Sequence, residues 1–446
     1  MKKIVLFLGL FSCFLYGAIQ PALIEYEARI PKIDSQIPQI IKAAEFAANH
    51  VLKHPDTLIN VPYDQQPAFS EEMINRAGGL SNIYPSERPD RISMVTDHDI
   101  VILSVRSWQT DSETIIQGIN EFKEKKWKII LIGSKNGMPK GLKCDFFIDN
   151  GAPTGEAVYG RINVIANITI GWMWCCEYVS AMTRKGKIPG ILMSVSFEEA
   201  VEYNKKIQSP QGRLWIGDCP EKIPAGKLAK IYIERVKKLV SDLKSEKIQK
   251  QIEIASDIIA ERMLEGKRVG ISGVGHIIND EVKRDMKAPW IGFQSAGYVR
   301  GKRNIFKQYL KPGDLLVWIA YIGLNSRYTD YGKYIRDAGV DLITSFAPDP
   351  DNPQINETGA IAHIDQCWVK GDAEVPLPCH PWKMAPISGI NSALILRMLD
   401  DTVFQKIQKA RSEKLSTRLD MNIVLLRDGK NFYKRKTHIG LKKTWC

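Results

Sequence analysis

Histidine and cysteine are scarce, with 7 and 8 copies in 446 residues. No two cysteines stand in C-x-x-C spacing, and Cys175 and Cys176 are sequence neighbours, so a zinc module is excluded and no metal is expected. A full dinucleotide fingerprint is also missing: in Gly273-Val-Gly275-His276 the third glycine position is held by Ile278. No cofactor is expected. Beyond the first residues there is no apolar run long enough to cross a bilayer, which excludes an integral membrane domain. Long blocks of one charge are absent too. The net charge is +12, from 62 Lys+Arg against 50 Asp+Glu, but it is spread. With no reading module beside it, nucleic acid is not the expected partner; an acidic small ligand is.

What is present repeats. Asp314-Leu-Leu-Val-Trp-Ile319 reads as a strand covered on both faces. A Gly/Asn/Ser loop, an amphipathic helix and a second apolar run at 340–345 follow. The same order occurs from Asp99-Ile-Val-Ile-Leu-Ser104 through a polar loop and a helix to Lys128-Ile-Ile-Leu-Ile-Gly133. Two β-loop-α-β units in one chain predict an α/β protein. The expected fold is two doubly wound three-layer αβα domains, each with a mainly parallel five-stranded sheet. The expected organisation is a signal peptide over 1–18, domains over 30–208 and 226–410 joined by a linker at 209–225, and a C-terminal hairpin and basic tail over 411–446.

The first residues carry Lys2-Lys3, an apolar run to Tyr16 and then Gly17-Ala18, the layout of an export signal. The expected location is periplasmic or extracellular. Leu10-Phe-Ser-Cys13 loosely resembles a lipoprotein box, which keeps a lipidated Cys13 open. Seven cysteines remain after such a signal, and one or two disulfides fit an oxidising compartment, with partners unassigned. Residues 19–34 read as a linker, 161–184 as a long buried helix, 375–386 as a Pro-rich loop and 390–398 as a closing helix.

Ligands of doubly wound sheets sit beyond the carboxyl ends of the strands. Three loops qualify. At Gly273, Gly275 and His276 the glycines let backbone N–H groups approach an anion, or simply turn the chain. At Gly323, Asn325 and Ser326 the polar side chains can bind a ligand oxygen or cap the next helix. In the third, Ser104, Arg106, Ser107, Thr110 and Thr114 offer hydroxyls and a guanidinium to a phosphate or carboxylate.

These loops, with Gly266-Lys-Arg-Val-Gly-Ile-Ser-Gly-Val-Gly-His276 and Lys311-Pro-Gly-Asp-Leu-Leu-Val-Trp-Ile-Ala-Tyr-Ile-Gly-Leu-Asn325, resemble the SIS (sugar isomerase) domain present twice, over about 35–205 and 228–405. The resemblance rests on order and spacing more than on identity. It implies a phosphosugar-type ligand and the doubled five-stranded parallel sheet. This sequence departs from the family's Ser-x-Ser-Gly-x-Thr phosphate loop. In the second copy the serines fall on Ala320 and Ile322, Gly323 matches, and Asn325 stands for the threonine. In the first copy Trp108 takes the glycine position. The family's Glu-Leu-Lys-His-Gly-Pro segment is absent, so no acid/base pair carries over. Glu177 and His380 are the weak catalytic candidates, each with a structural alternative. Three readings stay open: a binding protein for an anionic sugar derivative (sugar acid, amino sugar or phosphosugar), a diverged aldose-ketose isomerase, and an interaction protein with closed pockets. A homodimer is an open expectation.

Overall fold

The computed structural model describes residues 20–63, 66–85, 94–153, 160–194, 197–273, 277–278, 291–292, 307, 309–322, 326–347, 358–369, 371–378 and 380–417. The first sheet holds β1 (Ile59–Asn60), β2 (Ile83–Tyr84), β3 (Ile100–Ser104), β4 (Lys128–Gly133) and β5 (Phe146–Asp149). Its order is β2-β1-β3-β4-β5, and every pairing is parallel. A short antiparallel pair follows, β6 (Lys187–Pro189) with β7 (Ile216–Asp218). The second sheet holds β8 (Val269–Gly273), β9 (Ile291–Gly292), β10 (Leu315–Ile322), β11 (Asp341–Ala347) and β12 (Ala362–Asp365). Read from β9, its order is β9-β8-β10-β11-β12, again all parallel. The two sheets therefore share one strand order, and each reverses direction of winding between its first and third strands. An antiparallel hairpin, β13 (Ala373–Leu377) and β14 (His380–Pro386), closes the strand list.

The continuous apolar runs form central strands because both of their faces are covered. Along β3, Ile100 and Ile102 face a core that runs through both halves of the chain. Val101 and Leu103 face a second core beneath the Trp108–Glu124 helix. Along β10, Leu315, Val317 and Ile319 join the shared core. Leu316, Trp318 and Ala320 join a third, with Ile335 of the Ser326–Asp337 helix. The shared core centres on the Gly160–Arg184 helix, where Trp172, Trp174, Cys175 and Cys176 are fully buried. A helix apolar nearly all round needs partners on every side, as the sequence implied. No described helix is long and apolar enough to cross a membrane.

Matching residues brace both sheets. Asp99, just before β3, accepts from Leu58 N at 3.0 Å; Asp314, just before β10, accepts from Arg268 N at 2.9 Å. After the last strand of each sheet, Asp149 accepts from Gly151 N and Asp365 from Cys367 N. Gly151 and Cys367 both hold left-handed backbone, at φ 71° and 58°.

Three expected loops are structured instead. Residues 21–34 form a helix, Pro21–Asp34, whose Leu23, Tyr26, Ile30 and Ile33 are buried; Pro21 sits in its first turn, where a missing N–H costs nothing. Residues 373–386 form the β13–β14 hairpin, despite four prolines, because the antiparallel register leaves only some N–H groups paired. The stretch 209–225 contains the Pro210–Arg213 turn of helix and β7. The closing helix runs further than expected, from Ser388 to Thr417. The expected signal peptide and the hairpin near 420–433 lie outside the described residues.

Candidate functional site

At the carboxyl end of the first sheet, the polar loop turns into the Trp108–Glu124 helix. Ser107 is its N-cap: its Oγ accepts from Gln109 N at 3.2 Å. Asp111 folds back, and its Oδ2 accepts from Arg106 N at 3.2 Å and Ser107 N at 3.1 Å. The Arg106 guanidinium lies 3.5 Å from Asp111 Oδ1, and the Thr110 hydroxyl donates to the same oxygen at 2.7 Å. These are the donors that a phosphate or carboxylate would use. A carboxylate of the chain already holds them.

The remaining first-loop residues are also engaged. Ser104 Oγ accepts from Asn167 Nδ2 at 3.3 Å, and the same amide reaches Val105 O at 2.9 Å. Thr114 is exposed on the helix, a turn away from the loop. Trp108, at the glycine position, is buried at 4% exposure with its Nε1 donating to Ser134 O at 2.7 Å. It packs beside Gly133 and Gly137, so the ring fills the space that a small residue would leave open.

In the second sheet Gly273 ends β8, paired with Ile319 of β10. Ile278 lies where a Cβ on Gly273 would fall, at 2.4 Å, so the turn needs glycine there for close packing. Gly275, His276, Gly323 and Asn325 lie outside the described residues. Ser326 starts the Ser326–Asp337 helix. Gln366, directly after β12, joins the strand ends by donating to Ala320 O and Ser345 O, each at 2.9 Å.

Beside Tyr321, near the end of β10, stands a cluster that the sequence analysis did not single out. Tyr321 donates to Asp372 Oδ1 at 2.6 Å. Arg76 of the first half pairs with Asp372 Oδ2 at 2.7 Å and with Glu72 at 3.5 Å. Ser388 Oγ donates to Asp372 Oδ2 at 2.6 Å. Trp172 Nε1 donates to Glu72 Oε1 at 3.3 Å, while Glu72 Oε2 is buried without a hydrogen-bond partner among the described residues. Burial pushes the Glu72 carboxyl up to about 7, against the pull of Arg76, and Asp372 adds to the rise. Burial and the adjacent Asp372 also hold the Tyr321 hydroxyl well above its ordinary value. Asn75, beside Arg76, Asp372 itself and Ala385, three residues before Ser388, have φ of 53°, 42° and 58°. No sequence signal could flag the cluster, because Arg76 and Asp372 are 296 positions apart.

The two catalytic candidates do not share a hydrogen bond. Glu177 accepts from Gly226 N at 2.8 Å and Ala229 N at 3.1 Å, capping the Lys227–Leu243 helix from within the core. Burial raises its pKa against those two bonds. His380, on β14, meets the Tyr203 hydroxyl through Nε2 at 3.1 Å and accepts from Trp382 N through Nδ1 at 3.3 Å. Burial lowers its pKa, favouring the neutral ring. Among the described residues, no three His, Cys, Asp or Glu side chains are placed to hold a metal ion.

A chain with two five-stranded parallel sheets in the order 2-1-3-4-5 belongs to the doubly wound α/β class, with its crevices at the strand tips. No family model matches the chain. A UPF0309 protein of Thermoanaerobacter pseudethanolicus is 25% identical over 220 residues, which span 39% of this chain and 88% of that protein. Among solved structures, a protein assigned as sugar binding from Salmonella typhimurium is similar over 86% of this chain and 99% of its own, at TM-score 0.47 and 8% identity. The C-terminal domain of glucosamine-fructose-6-phosphate aminotransferase from Francisella tularensis is similar over 86% and 96%, at TM-score 0.43 and 8% identity.

Proposed function

We propose that the chain is a tandem SIS-like protein that binds an anionic carbohydrate derivative, and that the second sheet alone presents the binding crevice. Gly273, Gly275, His276, Gly323, Asn325 and Ser326 are the proposed ligand-binding residues. The observation that carries this reading is the occupancy of the first crevice: Asp111 takes the N–H groups of Arg106 and Ser107, and Trp108 fills the loop. A second anion there would meet a carboxylate already in place. Binding is favoured over isomerisation because Glu177 is committed to a helix cap, and no described hydrogen bond joins it to His380. Export is part of the proposal. It is supported by Cys219, which is disulfide-bonded, as suits an oxidising compartment.

The test is a thermal-shift screen of the mature chain against phosphosugars, uronic acids and amino sugars. A ligand that prefers the folded state raises the melting temperature with concentration. Stabilisation by one class of anionic sugar is expected; silence across all three classes would overturn the reading in favour of an interaction protein.

A further inference from the structure

We propose that the β13–β14 hairpin is a proton-controlled strap over the carboxyl end of β10, held shut by the Glu72–Arg76–Asp372 cluster and loosened when that cluster loses a proton. The strap has two roots. At one, Gly371 and Asp372 take φ of 96° and 42°; at the other, Ala385 takes 58°. Between them the hairpin is fastened to the first half of the chain. Ala385 N donates to Gly78 O at 2.9 Å. Trp382 lies against Phe197, with ring centroids 5.1 Å apart, and His380 meets Tyr203. Tyr232 donates to Pro386 O at 3.0 Å. Beneath, Tyr321 is held through its hydroxyl by Asp372 and through its ring by Trp368, at 4.7 Å.

The fastening is electrostatically uneven. Two carboxylates, Glu72 and Asp372, share one guanidinium, Arg76, in a site closed to water. With both carboxylates ionised, the site carries an excess negative charge that nothing adjacent cancels. The groups facing it are the Trp172 indole N–H, the Tyr232 and Tyr321 hydroxyls, Ser388, and Glu374, itself paired with Arg235 at the surface at 3.4 Å. Gly389 presses on the Glu72 carboxyl; a Cβ there would lie 2.6 Å from Oε2. A proton on Glu72 makes the closed site neutral. In the opened strap Glu72 meets water and returns to an ordinary carboxyl, so opening releases that proton. The closed carboxyl titrates near 7. Through Glu72, opening therefore grows as pH rises from about 5 to about 7 and levels off above, where the closed form has already lost its proton; His380 in the hairpin, held neutral by burial, acts in the opposite sense below its ordinary value of 6.5.

The role of guarding a ligand rests on the function proposed above; the motion does not, and its test needs no ligand. Hydrogen–deuterium exchange of the full chain is followed at pH 5 to 8.5, corrected for intrinsic amide rates. In His380→Gln, which removes the opposing titration within the hairpin, peptides over 371–386 should open about tenfold more per pH unit between 5 and 7, then hold level. Peptides over β3 and β4 should not change. Adding Glu72→Gln, which is neutral at every pH, to His380→Gln should keep 371–386 protected throughout. A flat profile in His380→Gln, or an unchanged slope when Glu72→Gln is added to a folded His380→Gln protein, would overturn the proposal.

Discussion

Asp111 supplies to the first crevice the negative charge that a ligand would bring. It sits within the first turn of the Trp108–Glu124 helix, where the N–H groups favour an anion, and its own carboxylate meets that demand. Ser107→Ala removes the cap and should cost about 1 kcal/mol in urea unfolding. Glu177→Ala leaves Gly226 N and Ala229 N without their acceptor and should cost about 1–3 kcal/mol; the isosteric Glu177→Gln should recover part of it. Glu72 shapes the pH profile. Its folded pKa, about 7, lies above the ordinary carboxyl value of 4.5. The folded state thus binds more protons than the unfolded one between those values. The resulting stabilisation is complete below about 4.5 and fades as pH climbs to about 7, on the order of 3 kcal/mol in all. Glu72→Gln should flatten that stretch in urea titrations run at each pH; an unaltered slope would remove Glu72 as the cause.

At the scale of elements, the central strands were legible because burial on both faces leaves a continuous apolar run, as in Ile100-Val-Ile-Leu103. The Gly160–Arg184 helix was legible for the same reason. The Pro21–Asp34 helix was not: Pro31 lies inside it, and its apolar residues hold helical spacing only where they meet partners distant in sequence. Nor was the β13–β14 hairpin, whose prolines read as loop and whose burial alternates weakly. The positions of the first-sheet site residues could be read, but not their engagement, because Asp111 gave no sign of which donors it would take. The Glu72–Arg76–Asp372 cluster was beyond reach, since Arg76 and Asp372 are 296 positions apart. Its strength can be measured. Arg76→Met leaves Asp372 buried beside Glu72 with no cation and should cost about 3–5 kcal/mol; a loss below 1 kcal/mol would show that the pair contributes little.

Across the whole molecule, one apolar core passes through both halves, from Leu23 to Ile407, and the Gly160–Arg184 helix lies at its centre. Two sheets that share a core should melt together, so calorimetry should record a single transition with matching calorimetric and van't Hoff enthalpies. Two separated transitions would mean that the halves are independent. The two sheets share one strand order, and the proposal divides the labour between them: the first crevice taken by its own side chains, the second given to a ligand. The most direct test is calorimetric titration of two double variants with the strongest-stabilising compound from the sugar screen. Asn325→Ala with Ser326→Ala should abolish binding while the melting temperature stays within a few degrees of the parent, and Ser107→Ala with Thr110→Ala should bind as the parent does. The reverse pattern, with affinity lost from the first pair of hydroxyls and kept without the second loop, would contradict the account.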